Sequence, residues 1–435
     1  MSASMDATAK WTERDVARVW HGFTQMATYA ENRPLIVERS EGRELIDVDG
    51  KRYLDAISSL WVTTLGHRVA ELDAALVDQA GRVAHSTMLG NGNRVVIELA
   101  EALAEVVPVD DARFCFASDG ACAVEQALKI AFQFWHNQGV SDRRRFLVLG
   151  DAYHGDTVGS LSLGAGGFGT DLFEPLRFPG VVRTCGYRDP NWLQLALRAL
   201  ERHGAGLAAV VIEPVVQGAE GMWMAAPADV GTFARAATEV GALVVFDEVA
   251  TGFGRTGTLF ASEQCGFRPD LLCIGKGLSG GYLPLSATVA SGRVADAFAG
   301  ADLGPKTFYH GHSYGGNALG AAVALRHLQL LAEWSVLDNV VDRAAQLHRR
   351  LDQEVASLSP VEAVRCHGLM AGVALAPPAG QIRWGRAVCS AAVDRGVLLR
   401  PLGDVVVVVP ILTSTAAEID RIVDVLVEAV AVGAR

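Results

Sequence analysis

The sequence has no long apolar run, no excess of basic residues and no regular cysteine spacing. Its longest strongly apolar run, residues 405–409, is only as long as a strand, and its start lacks a basic segment followed by an apolar one. We therefore expect neither a membrane-spanning helix nor a secretory signal. A formal net charge of −11 argues against nucleic-acid binding, which favours a basic face. Seven cysteines without disulfide or zinc-ligand spacing predict reduced thiols in a cytoplasmic protein and no metal site.

Lysine is also scarce, because only five of the 38 Lys and Arg residues are lysine. One of these, Lys276, follows the apolar run of residues 271–274 and lies inside a glycine-rich turn, residues 275–281. A partly desolvated lysine amine can form an imine with an aldehyde, whereas arginine, which stays protonated, cannot. Taken alone, the pattern also fits a surface lysine after a strand.

A second apolar run, 29 residues upstream of Lys276, favours the chemical interpretation. Residues 242–246 read as a buried strand that ends in Asp247 and Glu248. Ligands of open α/β sheets collect at the carboxyl ends of such strands, so Asp247 and Lys276 are expected in one crevice. A lysine that holds an aldehyde and a carboxylate that keeps a ring nitrogen protonated suggest pyridoxal phosphate. The alternative for Asp247 is a helix cap after the strand.

The order of the elements predicts an α/β protein, and 50% hydrophobic residues are ample for a large core. Strands alternate with helices through the middle of the chain, which predicts a mostly parallel sheet covered by helices. Near the start, short strands are predicted at residues 35–37 and 44–55, with a hairpin turn at Asp49 and Gly50. Near the end, residues 397–400 and 405–409 read as one strand each. The two ends together predict a second, smaller α+β unit.

Further candidate site residues follow other predicted strands. Gly120 and Ala121 begin a helix after the strand of residues 114–117, and free N–H groups at a helix start can bind phosphate. Asp119 is unexpected there, because its carboxylate would repel a phosphate unless it is turned away. Tyr153 and His154 could stack on a flat ring, and Glu213 ends another buried strand. Small-residue helix starts and turn tyrosines are also common in proteins without such a site.

Together these motifs resemble the class III pyridoxal-phosphate aminotransferases. The resemblance rests on residues 246–249, 252–257 and 275–284 and runs from about residue 20 to the last helix. It implies the fold type I architecture: a large domain with a mainly parallel seven-stranded sheet, and a smaller α+β domain built from both termini. The implied boundaries are residues 1–65 and 321–435 for the small domain and 66–320 for the large one. It also implies a homodimer with active sites at the subunit interface.

Within this class the sequence most resembles the 8-amino-7-oxononanoate aminotransferases of biotin biosynthesis. The motifs that carry this resemblance are WHGFTQM (20–26), SSLW (58–61), HST (85–87), YHGDT (153–157), VQGA (216–219), HGHS (310–313) and LRPL (399–402). It implies transfer of an amino group from lysine or S-adenosylmethionine to 8-amino-7-oxononanoate, which yields 7,8-diaminononanoate.

The resemblance also implies roles for individual residues. Lys276 would bind the cofactor aldehyde and relay protons, Asp247 would pair with the ring nitrogen, and Tyr153 would stack on the ring. The implied cofactor-binding residues are Gly120, Ala121, Tyr153, His154, Glu213, Asp247, Val249, Lys276 and, from the partner subunit, Ser313. The implied substrate-binding residues are Phe23, Trp61, Tyr153, Arg255, Gly311 and Arg400, with Arg400 binding the carboxylate of the keto substrate.

The sequence departs from the family pattern at four of these places. The family usually has serine where Asp119 stands and often serine or threonine where Ala121 stands, so phosphate binding should depend more on backbone N–H groups. Members that use S-adenosylmethionine typically have tryptophan where Leu60 stands and tyrosine where Phe23 stands, which slightly favours lysine as the donor here. Two other functions stay open: another class III ω-aminotransferase acting on a diamine, an ornithine-like or a specialised substrate, and a non-catalytic member of the fold.

Overall fold

A computed structural model describes residues 7–433, apart from residues 165, 167, 168 and 382. The helices, α1 to α14 in chain order, are Ala7–Val16, Ser58–Trp61, Ala70–Ala80, Arg94–Ala104, Gly120–Asn137, Val158–Leu163, Trp192–His203, Pro227–Glu239, Ala261–Cys265, Gly292–Asp296, Ala318–Glu333, Val336–Arg350, Trp384–Asp394 and Ala416–Gly433. Short 3₁₀ turns lie at Met26–Thr28, Ala30–Asn32, Thr170–Leu176, Gly204–Gly206 and Lys276–Ser279, and a π-helical turn, Leu351–Val355, extends α12.

The strands, β1 to β17 in chain order, are Val37–Glu41, Glu44–Asp47, Arg52–Asp55, Arg113–Ala117, Arg145–Leu149, Val181–Thr184, Leu207–Ile212, Val216–Gln217, Trp223–Met224, Leu243–Asp247, Leu271–Ile274, Ser286–Ala290, Val361–His367, Met370–Leu375, Val397–Leu398, Arg400–Leu402 and Val405–Val408.

A seven-stranded sheet with the order β4-β12-β11-β10-β7-β5-β6 forms the centre of the molecule. Its neighbours pair in parallel except at β12, which runs antiparallel to both β11 and β4. Every residue of β7, β10, β11 and β12 is buried, because helices cover both faces of the sheet. This confirms the predicted α/β class and the mainly parallel seven-stranded sheet.

Strands from the two ends of the chain form smaller sheets. The antiparallel strands β1, β2 and β3 are extended by β15 from the C-terminal part, which pairs with β3 in parallel. A second four-stranded sheet has the order β13-β14-β17-β16. The β2–β3 hairpin turns at Asp49 and Gly50, as predicted, and Gly50 has a φ of +82° that favours glycine. The domain boundaries themselves stay predictions.

Among the described residues, the helices include none that combines the length and the apolar character needed to cross a membrane.

Candidate active site

A cavity of about 730 Å³ opens at the carboxyl ends of five strands of the central sheet. The loops that follow β4, β5, β7, β10 and β11 all contribute to its wall. This is the edge at which open α/β sheets bind their ligands, because side chains that follow neighbouring parallel strands converge there. The lining residues named by the sequence analysis are Trp61, Asp119, Gly120, Ala121, Tyr153, His154, Glu213, Asp247, Val249 and Lys276.

Lys276 and Asp247 lie at the carboxyl ends of two directly paired strands. Asp247, the last residue of β10, lies opposite Cys273 of β11, three residues before Lys276. Burial lowers the pKa of the Lys276 amine, although the carboxylates of Asp247 and Glu213 oppose this shift. Lys276 also has a φ of +39°, a sparsely populated conformation for a residue with a side chain. A lysine with a lowered pKa supplies the neutral amine that imine formation requires.

Asp247 is held by two donors. Its Oδ1 accepts the backbone N–H of Val249 at 3.1 Å, and its Oδ2 lies 2.7 Å from Nδ1 of His154. Burial alone would lower the pKa of His154, but the hydrogen bond to Asp247 and the negative charges of Asp247 and Glu213 together outweigh burial, and the pKa is raised. The other ring nitrogen, Nε2, is buried without a hydrogen-bond partner among the described residues. His154 therefore contacts the Asp247 carboxylate through one ring nitrogen, while its other ring nitrogen has no such partner among the described residues.

Glu213 is a second buried carboxyl group at the same place. Its Oε2 accepts the backbone N–H of Tyr153 at 3.0 Å, and its Oε1 lies 3.4 Å from the backbone N of Gly218. Burial raises the pKa of Glu213 to about 7, and the negative charge of Asp247 adds to this effect. Glu213 thus changes its charge near neutral pH, beside the lysine and the aspartate.

The raised pKa of Glu213 predicts a pH-dependent stability. Folded Glu213 keeps a proton that the unfolded chain loses between its ordinary pKa of 4.5 and about 7. The free energy of unfolding therefore falls as the pH rises through this window. Replacing Glu213 by Gln removes this loss, so we expect the melting temperature of E213Q, relative to the unsubstituted protein, to rise by a few degrees between about pH 5 and about pH 8.

Thermal unfolding of the cofactor-free proteins measures this difference. The exposed Glu239 on α8 offers a matched control, because E239Q removes one carboxylate from the surface. If the difference in melting temperature between E213Q and the unsubstituted protein does not change with pH, the raised pKa of Glu213 would be contradicted.

The start of α5 forms part of the cavity wall. The N–H groups of Gly120 and Ala121, in the first turn of the helix, have no acceptor inside it, and both residues line the cavity. Gly120 is required by close packing, because a Cβ there would lie 2.6 Å from Cγ1 of Val249. The helix start therefore points free N–H donors and the positive end of its dipole into the cavity.

Asp119, unexpected in this turn, serves as the helix cap. Its Oδ1 accepts the backbone N–H of Cys122 at 2.9 Å, and its Oδ2 accepts the hydroxyl of Ser118 at 2.6 Å. Burial raises the pKa of Asp119, but these hydrogen bonds outweigh it and leave the pKa below its ordinary value. The carboxylate is thus engaged with its own helix, which reduces its repulsion of an anion at Gly120.

Aromatic side chains bound the cavity on two sides. Tyr153 lines it and donates its hydroxyl to Oδ2 of Asp156 at 2.8 Å. Trp61 lies with its ring centroid 4.8 Å from Nζ of Lys276. A flat ring bound to Lys276 would therefore meet aromatic surfaces, which favour stacking.

Five residues implied by the resemblance are absent from the wall that this chain forms: Phe23, Arg255, Gly311, Ser313 and Arg400. Arg255 is 1% exposed and donates to the backbone carbonyl oxygens of Thr63, at 3.1 Å, and Pro410. Burial lowers its pKa to about 10, against the effect of Asp55. Within this chain Arg255 therefore holds backbone segments together, and the substrate contact implied by the resemblance stays a prediction. The other four residues are exposed.

The structure also adds residues that the sequence analysis assigned no role. Ser118 lines the cavity and its Oγ lies 3.0 Å from Nε2 of His312, which brings the loop at residues 308–317 close to the start of α5. Asp156 and Tyr282 also line the cavity. The spacing of Tyr153 and Asp156, three residues apart in one loop, was a signal for that pair, whereas nothing in the sequence pairs Ser118 with His312.

These groups fit pyridoxal phosphate. An amine with a lowered pKa, a buried carboxylate, free N–H groups at a helix start and aromatic surfaces match its aldehyde, ring nitrogen, phosphate and ring. Among the described residues there is no cluster of side chains that could hold a metal ion.

Comparison with known proteins agrees with this fit. The sequence model of the class-III aminotransferases matches residues 25–430. The chain is 41% identical to the adenosylmethionine-8-amino-7-oxononanoate aminotransferase of Nitratidesulfovibrio vulgaris, over 96% of this chain and 80% of that protein. It is 40% identical to the enzyme of the same name from Aquifex aeolicus, over 96% of this chain and 95% of that protein.

Solved structures agree as well. The adenosylmethionine-8-amino-7-oxononanoate aminotransferase of Methanocaldococcus jannaschii has a TM-score of 0.93 and 35% identity to this chain, covering 97% of this chain and 98% of that one. An amine transaminase from an uncultivated Pseudomonas species, solved with pyridoxal phosphate bound, has a TM-score of 0.89 and 31% identity, covering 95% and 98%. A family match over nearly the whole chain and a site with the required chemistry lead to one conclusion: this chain belongs to the class III aminotransferases and is a pyridoxal-phosphate-dependent aminotransferase.

Proposed function

We propose that this enzyme transfers an amino group to 8-amino-7-oxononanoate in biotin biosynthesis. The observation that carries the proposal is the near full-length similarity to several proteins that bear the name of this reaction, from 41% identity in Nitratidesulfovibrio vulgaris to 34% in Methanocaldococcus jannaschii. The motifs of residues 20–26, 58–61, 310–313 and 399–402 support the same acceptor.

When bound, pyridoxal phosphate supplies an electron sink that stabilises negative charge at the substrate carbon. The proposed role of Lys276 is to hold the cofactor and to move the proton at that carbon, for which its lowered pKa is suited. Asp247, oriented by His154, keeps the ring nitrogen protonated. The N–H groups of Gly120 and Ala121 bind the phosphate, and Tyr153, Val249 and Trp61 confine the ring. Glu213 is a neighbouring group whose charge changes near neutral pH.

The proposed enzyme acts as a homodimer, and three observations support a second subunit at the cavity. Ser313 and Gly311 are exposed and absent from the cavity wall of their own chain, yet their loop contacts Ser118 through His312. Tyr309 and Tyr314 of the same loop are each 64% exposed. In the N-terminal segment, Trp20 is 88% and Phe23 is 63% exposed. Such exposed aromatic surface is typical of interfaces between proteins. A single species at the monomer mass of 46.1 kDa in sedimentation equilibrium would contradict the proposed homodimer.

Two observations point to different amino donors. The related enzymes are named for adenosylmethionine, whereas Leu60 and Phe23 replace the tryptophan and tyrosine that the resemblance associates with this donor, and they favour lysine. Half-reactions of the cofactor-loaded enzyme decide between them. Lysine and S-adenosylmethionine are added separately, the loss of the visible absorbance is followed, and 8-amino-7-oxononanoate is then tested for its recovery. Failure of this keto acid to restore the absorbance would contradict the proposed acceptor and favour another ω-aminotransferase activity.

Arg400 provides a test of the acceptor that is specific to one half-reaction. Arg400 is exposed at the start of β16, and no hydrogen bond or ion pair of its side chain is found among the described residues. Since one charged hydrogen bond contributes roughly 1.5–3 kcal/mol, we expect R400A to raise the KM for 8-amino-7-oxononanoate by about 10- to 100-fold. The rate of the donor half-reaction with lysine should change little.

Arg395 offers a matched control for Arg400. It lies five residues away and is engaged with Glu428 at 2.8 Å and with the carbonyl oxygen of Ala391. R395A should leave the KM for the keto acid unchanged. An unchanged KM in R400A would instead contradict the proposed contact between Arg400 and the carboxylate of the keto acid.

A further inference from the structure

The backbone of the turn that carries Trp61 is strained. Ser58, Ser59 and Trp61 have φ values of +50°, +60° and +63°, in the region that favours glycine. Ser59 also has a ψ of −73°, which corresponds to a γ-turn that is rare because it brings the side chain against the backbone. Such conformations persist when surrounding contacts hold them, and they concentrate at functional sites.

Asp55, at the end of β3, supplies these contacts. Its side chain is fully buried, and both carboxylate oxygens accept the backbone N–H of Ser59, at 3.0 and 2.8 Å. Oδ1 also accepts the N–H of Ile57 at 3.3 Å, and Oδ2 lies 3.0 Å from Nε2 of His67. From the other side, the hydroxyl of Ser58 donates to the carbonyl oxygen of Val409 at 2.7 Å. A buried carboxylate needs hydrogen-bond donors, and two of the hydrogen bonds of Asp55 come from the N–H of the strained Ser59.

The strained turn determines the position of Trp61. Its side chain is 6% exposed, and its ring centroid lies 4.8 Å from Nζ of Lys276. On the other side it packs so closely on Gly218 that a Cβ there would lie 3.0 Å from its Cζ3 atom. The indole Nε1 has no hydrogen-bond partner among the described residues. Because no hydrogen bond of its own orients the indole, its position depends on packing and on the backbone conformation of the turn.

We propose that Asp55 is a positioning residue of the active site: by holding Ser59 in its strained conformation, it places the Trp61 ring against Lys276. Asp55 acts through Trp61 and does not itself line the cavity. Only the expected loss of kcat/KM rests on the role proposed above for Lys276. The inference does not depend on which keto acid is the acceptor.

The experiment compares D55N with a matched control, D47N, in the cofactor-loaded enzyme. Asp47 is 6% exposed in the adjoining strand and accepts the N–H of Lys51 at 2.8 Å and the hydroxyl of Tyr53 at 2.7 Å, but it does not line the cavity. Its loss should therefore lower thermal stability without moving Trp61. The enzyme is labelled with 5-fluorotryptophan, and the fluorine resonance of Trp61 is assigned by its absence in W61F.

D55N should shift or broaden the Trp61 resonance and lower kcat/KM, measured with whichever donor the unsubstituted enzyme uses, on the order of 10²-fold, as expected for a displaced active-site group. D47N should leave both unchanged. An unmoved Trp61 resonance in D55N would overturn the proposal. If the unsubstituted enzyme shows no turnover with 8-amino-7-oxononanoate but D55N moves the resonance, the proposed acceptor fails and the positioning role stands.

Glycine at position 59 tests the strain directly. Glycine adopts positive φ without steric cost, so S59G in the D55N background should restore the Trp61 resonance and at least part of kcat/KM. A double variant no better than D55N would overturn the strain-holding role. If D55N fails to fold, H67F replaces it in the experiment, because this variant removes a single partner of the same carboxylate. H67F is expected to shift the Trp61 resonance. An unchanged Trp61 resonance in H67F would then overturn the proposal.

Discussion

Replacing Lys276 by alanine should abolish transamination, with kcat reduced on the order of 10⁴-fold or more, because the same amine is proposed to hold the cofactor and to move the substrate proton. Lys276 begins the 3₁₀ turn that follows β11, lines the cavity and has a pKa lowered by burial. K276R should be equally inactive, since arginine keeps the positive charge but cannot form an imine.

The attachment of the cofactor can be measured separately from activity. Borohydride reduction of the loaded enzyme followed by peptide mass spectrometry should place the cofactor on Lys276 and on no peptide of K276A. The exposed Lys10 on α1 provides the control, because K10A should keep both the label and the activity. Labelling of a different lysine, or undiminished turnover in K276A, would contradict the assignment of the site.

Replacing Asp247 by asparagine should lower kcat on the order of 10² to 10³-fold, a magnitude typical for the loss of one preorganised electrostatic group. Asparagine keeps the shape of the side chain but lacks the negative charge that would keep the ring nitrogen protonated. It also keeps only one of the two oxygens that now contact Val249 N–H and His154 Nδ1. Steady-state turnover and the visible absorbance of the loaded enzyme measure the effect.

Asp270 is the matched control for Asp247, because it lies beside the same pair of strands but at their opposite ends. Its carboxylate accepts the N–H of Val244 at 2.9 Å and pairs with Arg293. D270N should lower thermal stability with little effect on turnover of the folded enzyme. Equal losses of turnover in D247N and D270N would show that a general structural effect, rather than the charge at the cavity, explains the result.

Much of the central architecture could be predicted from local patterns. Runs such as residues 242–246 and 271–274 are continuously apolar, and the structure buries β10 and β11, the strands that they form, completely. Because parallel strands present their carboxyl ends at one edge, the residues that follow them could be placed together without coordinates. Local patterns also indicate the helices near the end of the chain: residues 317–357 have helical apolar spacing on both sides of a break near 333–335, and the structure has α11 before this break and α12 after it.

Other features depended on contacts between distant segments. The pattern at residues 397–400 predicts one strand, but Val397–Leu398 pairs with β3 while Arg400–Leu402 pairs with β17 in another sheet. The resemblance implies that Arg255 lies near the substrate, but it does not indicate that the guanidinium donates to the carbonyl oxygens of residues 63 and 410, as it does in the folded chain. Sequence spacing carries no information about pairings across 150 or more residues.

The sequence by itself determined the strand ends, the imine-forming lysine and the carboxylate beside it, because their signals are local and the parallel sheet brings them together. Only the tertiary structure decided how these groups are tuned. In the folded chain the Asp119 carboxylate caps its own helix, and burial raises the pKa of Glu213. Folding also brings Asp55 into hydrogen-bond contact with Ser59 in the strained turn before Trp61. Those effects arise from desolvation and from hydrogen bonds set by packing, which no single segment of the chain contains.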